Sequence, residues 1–150
     1  MVHIGSSYAQ SFTININDNA GLQYQNNLYQ VTQDSLSIKG MSDYGRSYVN
    51  YLQRKLTSSE KKQLEKFIAT FPADSLKETY FNEYSNFDYI TADHFPRVIE
   101  VTIVKQKKTF HTKATNAYVY LFADLFNQIN PILPPEVNIK YEKSKFNAMY

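Results

Sequence analysis

Two amphipathic helical stripes, each stopped by a proline, constrain this chain more than any other feature. The first spans Ser58 to Phe71 and stops at Pro72; the second spans about Ala117 to Asn130 and stops at Pro131. Proline ends both because it has no amide hydrogen to give and its ring crowds the preceding turn. In the first stripe Leu64, Phe67, Ile68 and Phe71 fall on one helical face, with Lys61, Lys62, Glu65 and Lys66 opposite. Thr57 and Glu60 stand at capping-box spacing ahead of it. In the second, Tyr118, Leu121, Phe122, Leu125, Phe126 and Ile129 make a broader stripe, and Asn116 is the expected N-cap.

The rest of the chain reads as strands and turns. Phe12, Ile14 and Ile16 alternate with polar residues, the period of a half-buried strand. Asp18–Gly21 is turn chemistry. A second strand is expected around Leu22–Val31, broken near Asn26-Asn27, a third over Ser35–Met41 and a fourth over Tyr48–Leu56. Val98–Val104 and Thr109–Lys113 form a hairpin across a lysine-rich turn, and Val137, Ile139 and Tyr141 alternate as a last strand. Each stripe must bury its apolar side against another layer. The expected fold is therefore α+β: a single antiparallel sheet of five to seven strands, packed on one face by two helices. Residues 12–141 would form the domain, with a stub at 1–11 and a tail at 142–150.

A length of 150 residues favours one domain large enough for a real core. A net charge of +2 argues against nucleic acid or an anionic membrane as the main partner. With no cysteine, disulfides, thiol nucleophiles and Cys-based zinc sites are excluded. No run approaches the roughly 20 apolar residues of a membrane span. Ser7 and Ala9 ahead of Gln10 have the spacing of a signal-peptidase cut, without the apolar segment that should precede it. Residues 1–11 are thus either a signal-peptide remnant, which would place the protein in the periplasm or outside the cell, or an ordinary terminus.

Three groups of residues are candidates for function. The connection Tyr80–Pro96 is long enough to be functional. It crowds Tyr80, Phe81, Tyr84, Phe87 and Tyr89 beside Asn82, Asn86 and Asp88, a mixture suited to polar ligands with apolar faces. In the same connection Asp88, Asp93 and His94 are the one acid–histidine cluster, able in principle to hold a metal or orient a base. They lack a regular ligand spacing, and neither metal nor cofactor is expected. Lys105, Lys107, Lys108 and Lys113 interleave with Phe110 and His111 on the hairpin, a weak nucleic-acid pattern that, without an arginine, reads better as solubility at a hairpin tip and a guard against edge aggregation.

The order Leu56-Thr57-Ser58-Ser59-Glu60 into a helix, an acidic loop with Asp88, a hairpin, Phe126-Asn127-Gln128-Ile129-Asn130-Pro131 and Ile139-Lys140-Tyr141 resembles small exported bacterial domains of unknown function. The resemblance covers Phe12–Tyr141 and implies an extracytoplasmic, non-catalytic role. The leading expectation is a non-enzymatic binding or interaction module for a protein, peptide or glycan, acting through the Tyr80–Tyr89 aromatics. The alternative is a hydrolase or metal-dependent enzyme using Asp88, Asp93 and His94.

Overall fold

The computed structural model describes residues 11–19, 26–42, 47–82, 96–146 and 148–150. Among them run β1 (Phe12–Asn19), β2 (Asn26–Thr32), β3 (Ser35–Ser42), β4 (Ser47–Lys55), α1 (Ser58–Thr70), β5 (Thr79–Phe81), β6 (Val98–Lys105), β7 (Lys108–Thr115) and α2 (Tyr120–Ile129). The strands form one seven-stranded sheet in the order β4-β3-β2-β1-β6-β7-β5. The protein is α+β with a single sheet, as expected.

The sheet is mixed rather than purely antiparallel, because β5 pairs parallel to β7 through Thr79↔Lys113, Tyr80↔Ala114 and Phe81↔Thr115. No tight turn joins β5 to a neighbouring strand, so no hairpin dictates its direction. Strict alternation sets the core face. Phe12, Ile14 and Ile16 of β1, Tyr29 and Val31 of β2, and Ile99, Val101 and Ile103 of β6 are buried. They share one hydrophobic cluster with Leu64 and Ile68 of α1 and with Phe122, Leu125, Phe126 and Ile129 of α2.

The capping box at α1 is present. The Glu60 amide donates to Thr57 Oγ1 at 3.2 Å, and the Thr57 amide donates to Glu60 Oε1 at 2.9 Å. Arg54, on β4, donates to both Glu60 carboxylate oxygens at 2.9 and 2.7 Å and to the Ile132 carbonyl at 3.0 Å. One guanidinium thus joins an edge strand, the start of α1 and the turn after α2. At the other end of α1, Lys105 Nζ donates to the Ile68 and Phe71 carbonyls at 2.9 and 2.6 Å, placing a cation at the helix C-terminus.

Two expectations are corrected. Asn116 does not cap α2; it sits at φ 47°, and its Oδ1 accepts from the Arg97 amide at 2.8 Å. The N-cap is Val119, which makes no side-chain cap bond. Residues 137–141 form no strand. Instead the Asn130 side chain clamps Ile139 as a strand neighbour would, its Nδ2 donating to the Ile139 carbonyl at 2.9 Å and its Oδ1 accepting from the Ile139 amide at 2.8 Å.

Two predictions follow from these terminal and turn geometries. The hydrogen bonds from Arg54 hold the Glu60 carboxyl down to about 2 from an ordinary 4.5. A carboxyl lowered by folding stabilises above its unfolded value and loses that contribution as pH falls toward its folded value. Wild type should therefore lose stability between about pH 4.5 and 2, and Glu60→Gln should flatten that part of a pH–urea midpoint series. At the β6–β7 turn, Gln106 and Lys107 both hold left-handed φ, 50° and 61°. A side chain is disfavoured there, so Lys107→Gly should raise stability by about 1 kcal/mol in urea denaturation.

Candidate functional site

The five aromatic candidates divide at the limit of the described residues. Tyr84, Phe87 and Tyr89 lie outside them, as do Asp88, Asp93 and His94. Tyr80 and Phe81 lie within, on β5, where alternation sends them to opposite sides. Tyr80 is buried rather than part of an exposed platform. Its ring meets Phe122 edge-on at 6.4 Å and Tyr150 at 5.3 Å, and its hydroxyl accepts from the Lys77 amide at 3.0 Å. Phe81 is 39% exposed.

Phe81 does not stand alone. The C-terminal segment, expected to be a tail, docks beside it. The Tyr118 amide donates to the Ala148 carbonyl at 2.9 Å, the Tyr150 amide to the Tyr118 carbonyl at 2.8 Å, and the Tyr120 amide to the Tyr150 carbonyl at 2.8 Å. The last of these supplies, from the backbone, an acceptor at the start of α2 that no side chain provides. The Tyr150 hydroxyl then donates to the Phe81 carbonyl at 2.9 Å. Phe81, Tyr120, Met149 and Tyr150 are thereby gathered into one exposed corner, and they are four of the six large apolar side chains most open to solvent among the described residues.

Beneath the corner, Tyr141 is the supporting ring. It stacks on Tyr118 at 4.8 Å and 14°, meets Phe126 edge-on at 5.1 Å and Phe146 at 5.1 Å, and carries the Arg97 guanidinium at 5.6 Å. Its hydroxyl accepts from the Val119 amide and donates to the Ala117 carbonyl, both at 2.8 Å. Burial raises this phenol well above the ordinary tyrosine range. Above the corner, Lys143 Nζ lies 5.1 Å from the Tyr120 ring centroid and Lys77 Nζ 5.9 Å from that of Tyr150. Cations over ring faces orient both.

The hairpin cluster is dispersed. Lys105 is committed to the end of α1, Phe110 is half-buried, and His111 Nε2 lies 3.3 Å from Glu100 Oε2 across the strands. A shallow hollow of about 310 Å³ on the polar sheet face is lined by Asn15, Asn17, Gln30, Lys39 and Glu100. Among the described residues, no group of three His, Cys, Asp or Glu is placed to hold a metal, and no helix is long and apolar enough to cross a membrane.

Sequence reasoning missed Tyr118, Tyr120, Phe146, Met149 and Tyr150 as a group. Their aromatic density near the C-terminus is visible in the sequence, but their pairing with residue 118 has no local signal.

No protein-family model matches the chain, and no curated protein matches it.

The corner's dependence on Tyr141 is testable. Tyr141→Phe keeps the ring but strands the Val119 donor and the Ala117 acceptor. Leaving such buried groups unmet costs about 2 kcal/mol, which a urea midpoint shift at neutral pH would register.

Proposed function

We propose that this protein is a non-enzymatic binding module, acting outside the cytoplasm, that holds a partner protein through its aromatic corner. One observation carries the reading: Phe81, Tyr120, Met149 and Tyr150 are all exposed and are linked by hydrogen bonds, Tyr150 to Phe81 and Tyr120, and Tyr120 to Met149. Aromatic and methionine side chains are the ones that interface cores concentrate, and a few such anchors supply most of a binding free energy. The corner offers rings and ammonium groups, which bind, and pairs no nucleophile with a base among the described residues. Lys143 over Tyr120, with Lys77 and Tyr80 on Tyr150, already engage the rings, which favours interdigitating protein side chains over a stacked sugar. Ser7 and Ala9, at signal-peptidase spacing, support the extracytoplasmic setting.

Site-specific photocrosslinking in the cells that make the protein tests this. A benzoylphenylalanine at Phe81 or Tyr120 should give a discrete heavier adduct in the extracytoplasmic fraction. The same group at Lys62, an exposed position of α1, should not. Absence of adducts at the corner, or equal adducts at Lys62, would reject the proposal.

A further inference from the structure

Among the described residues the β7 strand is paired along only part of its outer side. Among the described residues β5 pairs with Lys113–Thr115 alone, which leaves Lys108–Thr112 as open edge. The orientation of its backbone groups follows from the ladder. The Lys113 amide donates outward to the Glu78 carbonyl at 2.9 Å, and the Thr115 carbonyl accepts outward from the Asn82 amide at 3.3 Å. In an antiparallel pair these directions alternate, so the amides and carbonyls of Thr109 and His111 also point away from β6 toward the open edge. A groove of about 570 Å³ runs along this edge, lined by Leu76, Glu78 and Thr79 and by the Thr109–Lys113 stretch of β7. Thr112 is 1% exposed, and its hydroxyl has no hydrogen-bond partner among the described residues.

We propose that this groove is a strand-addition site for an extended, acidic peptide segment of a partner protein. The visiting strand lies in line with β5 and pairs with Thr109 and His111, and one apolar side chain settles between Leu76 and Phe110. Backbone pairing supplies affinity and alternate side chains supply selectivity, the usual division in strand addition. The charge preference comes from Lys107, Lys108 and Lys113, which make no ion pair among the described residues. Opposing them in the groove wall is Glu78, while Asp74 shares a neighbouring hollow with Lys105 and Lys108, and Glu100 is engaged by His111. The other long edge is less receptive. There β4 carries a bulge, since Ile38 pairs with Leu52 and Lys39 with Asn50, leaving Tyr51 as the extra residue. A bulge interrupts the regular spacing that an added strand needs. The site shares no residue with the aromatic corner, so either can fail without the other.

The probe is an acetylated, amidated octapeptide of alternating glutamate and valine, with the lysine–valine octapeptide as its counterpart. Fluorescence anisotropy should show binding of the acidic peptide only, and hydrogen exchange should slow at the Thr109 and His111 amides. Thr109→Pro removes an outward N–H without touching the β6–β7 ladder, because proline is tolerated where the amide faces off an edge. It should weaken binding at least tenfold while amide protection at Phe110 stays unchanged. Lys108→Glu with Lys113→Glu should do the same by charge, independently of backbone geometry. No binding of the acidic peptide, or binding indifferent to Thr109→Pro, overturns the proposal. So does protection of the same amides by self-association without peptide, or by a single-stranded oligonucleotide.

Discussion

The ion pair between Asp18 and Arg97 is the constraint on which the rest of the architecture depends. Arg97 Nε and Nη2 donate to the two Asp18 oxygens at 3.1 and 2.9 Å, with the carboxylate side chain 8% exposed and the guanidinium 20%. Burying two charges is costly unless geometry and additional hydrogen bonds offset the loss of water. Here they do. Arg97 Nη1 also donates to the Lys140 carbonyl at 2.6 Å, its backbone exchanges hydrogen bonds with Asn116, and its guanidinium lies over the Tyr141 ring. One side chain therefore fixes the end of β1, the entry to β6, the exit from β7 and the segment after α2. The partners come from positions 18, 97, 116 and 140–141, so each contact closes a long loop of chain and none forms early by local propensity. Removing one charge would leave the other buried and uncompensated, a larger loss than the pair's own net gain.

That knot also explains why the corner exists. The Tyr141 hydroxyl holds Ala117 and Val119, and Arg97 holds Asn116 just ahead of them, so the chain stays extended before α2 begins. There the Tyr118 backbone receives the C-terminal segment. The exposed ring of Tyr120 is thus the outermost layer of a stack that runs inward through Tyr118 and Tyr141 to Phe126, while the ring of Tyr150 rests on Tyr80 and through it on Phe122. Aromatic rings suit this because each can bury a face and still offer a polar edge. If the proposed corner binds a partner, a surface built on such a stack would be pre-organised, which reduces the ordering entropy of association.

The elements read correctly from sequence are those whose evidence is local. The Thr57–Glu60 capping box, the stripe through Leu64 and Ile68, and the stop at Pro72 lie within fifteen residues of one another. Alternation in β1 and β6 is likewise a property of neighbours. The misreadings are all cases where a distant group took over a local role. Asn116 looks like a cap until Arg97 claims its side chain. Val137, Ile139 and Tyr141 look like a strand until Asn130 supplies the pairing with a single amide. The three residues of β5 are too few to show a period, and their strand state is conferred by β7. Tyr80 shows the same limit at the candidate site. Composition marks it as a ring for a surface, but β5 parity turns it inward and leaves Phe81 outside.

The hairpin lysines show how far the fold redistributes what the sequence groups together. As sequence they form one basic cluster with one meaning, either solubility or nucleic acid. In the fold they separate by parity and by depth. Lys105 is drawn under the end of α1, where two carbonyls fix it, and this couples the hairpin to the helix. Lys107 lies in a turn whose left-handed φ few side chains favour, so its presence there is not explained by turn propensity. Lys108 and Lys113 flank the one stretch of β7 that β5 leaves bare. Charge on an exposed edge opposes indiscriminate pairing, and it does so selectively: lysine repels a basic strand, is costly to desolvate against a neutral one, and attracts an acidic one. A guard of a single sign is therefore also a filter. An edge flanked by Lys108 and Lys113, with Glu78 opposing them in the groove wall, would exclude most strands while remaining complementary to an acidic one.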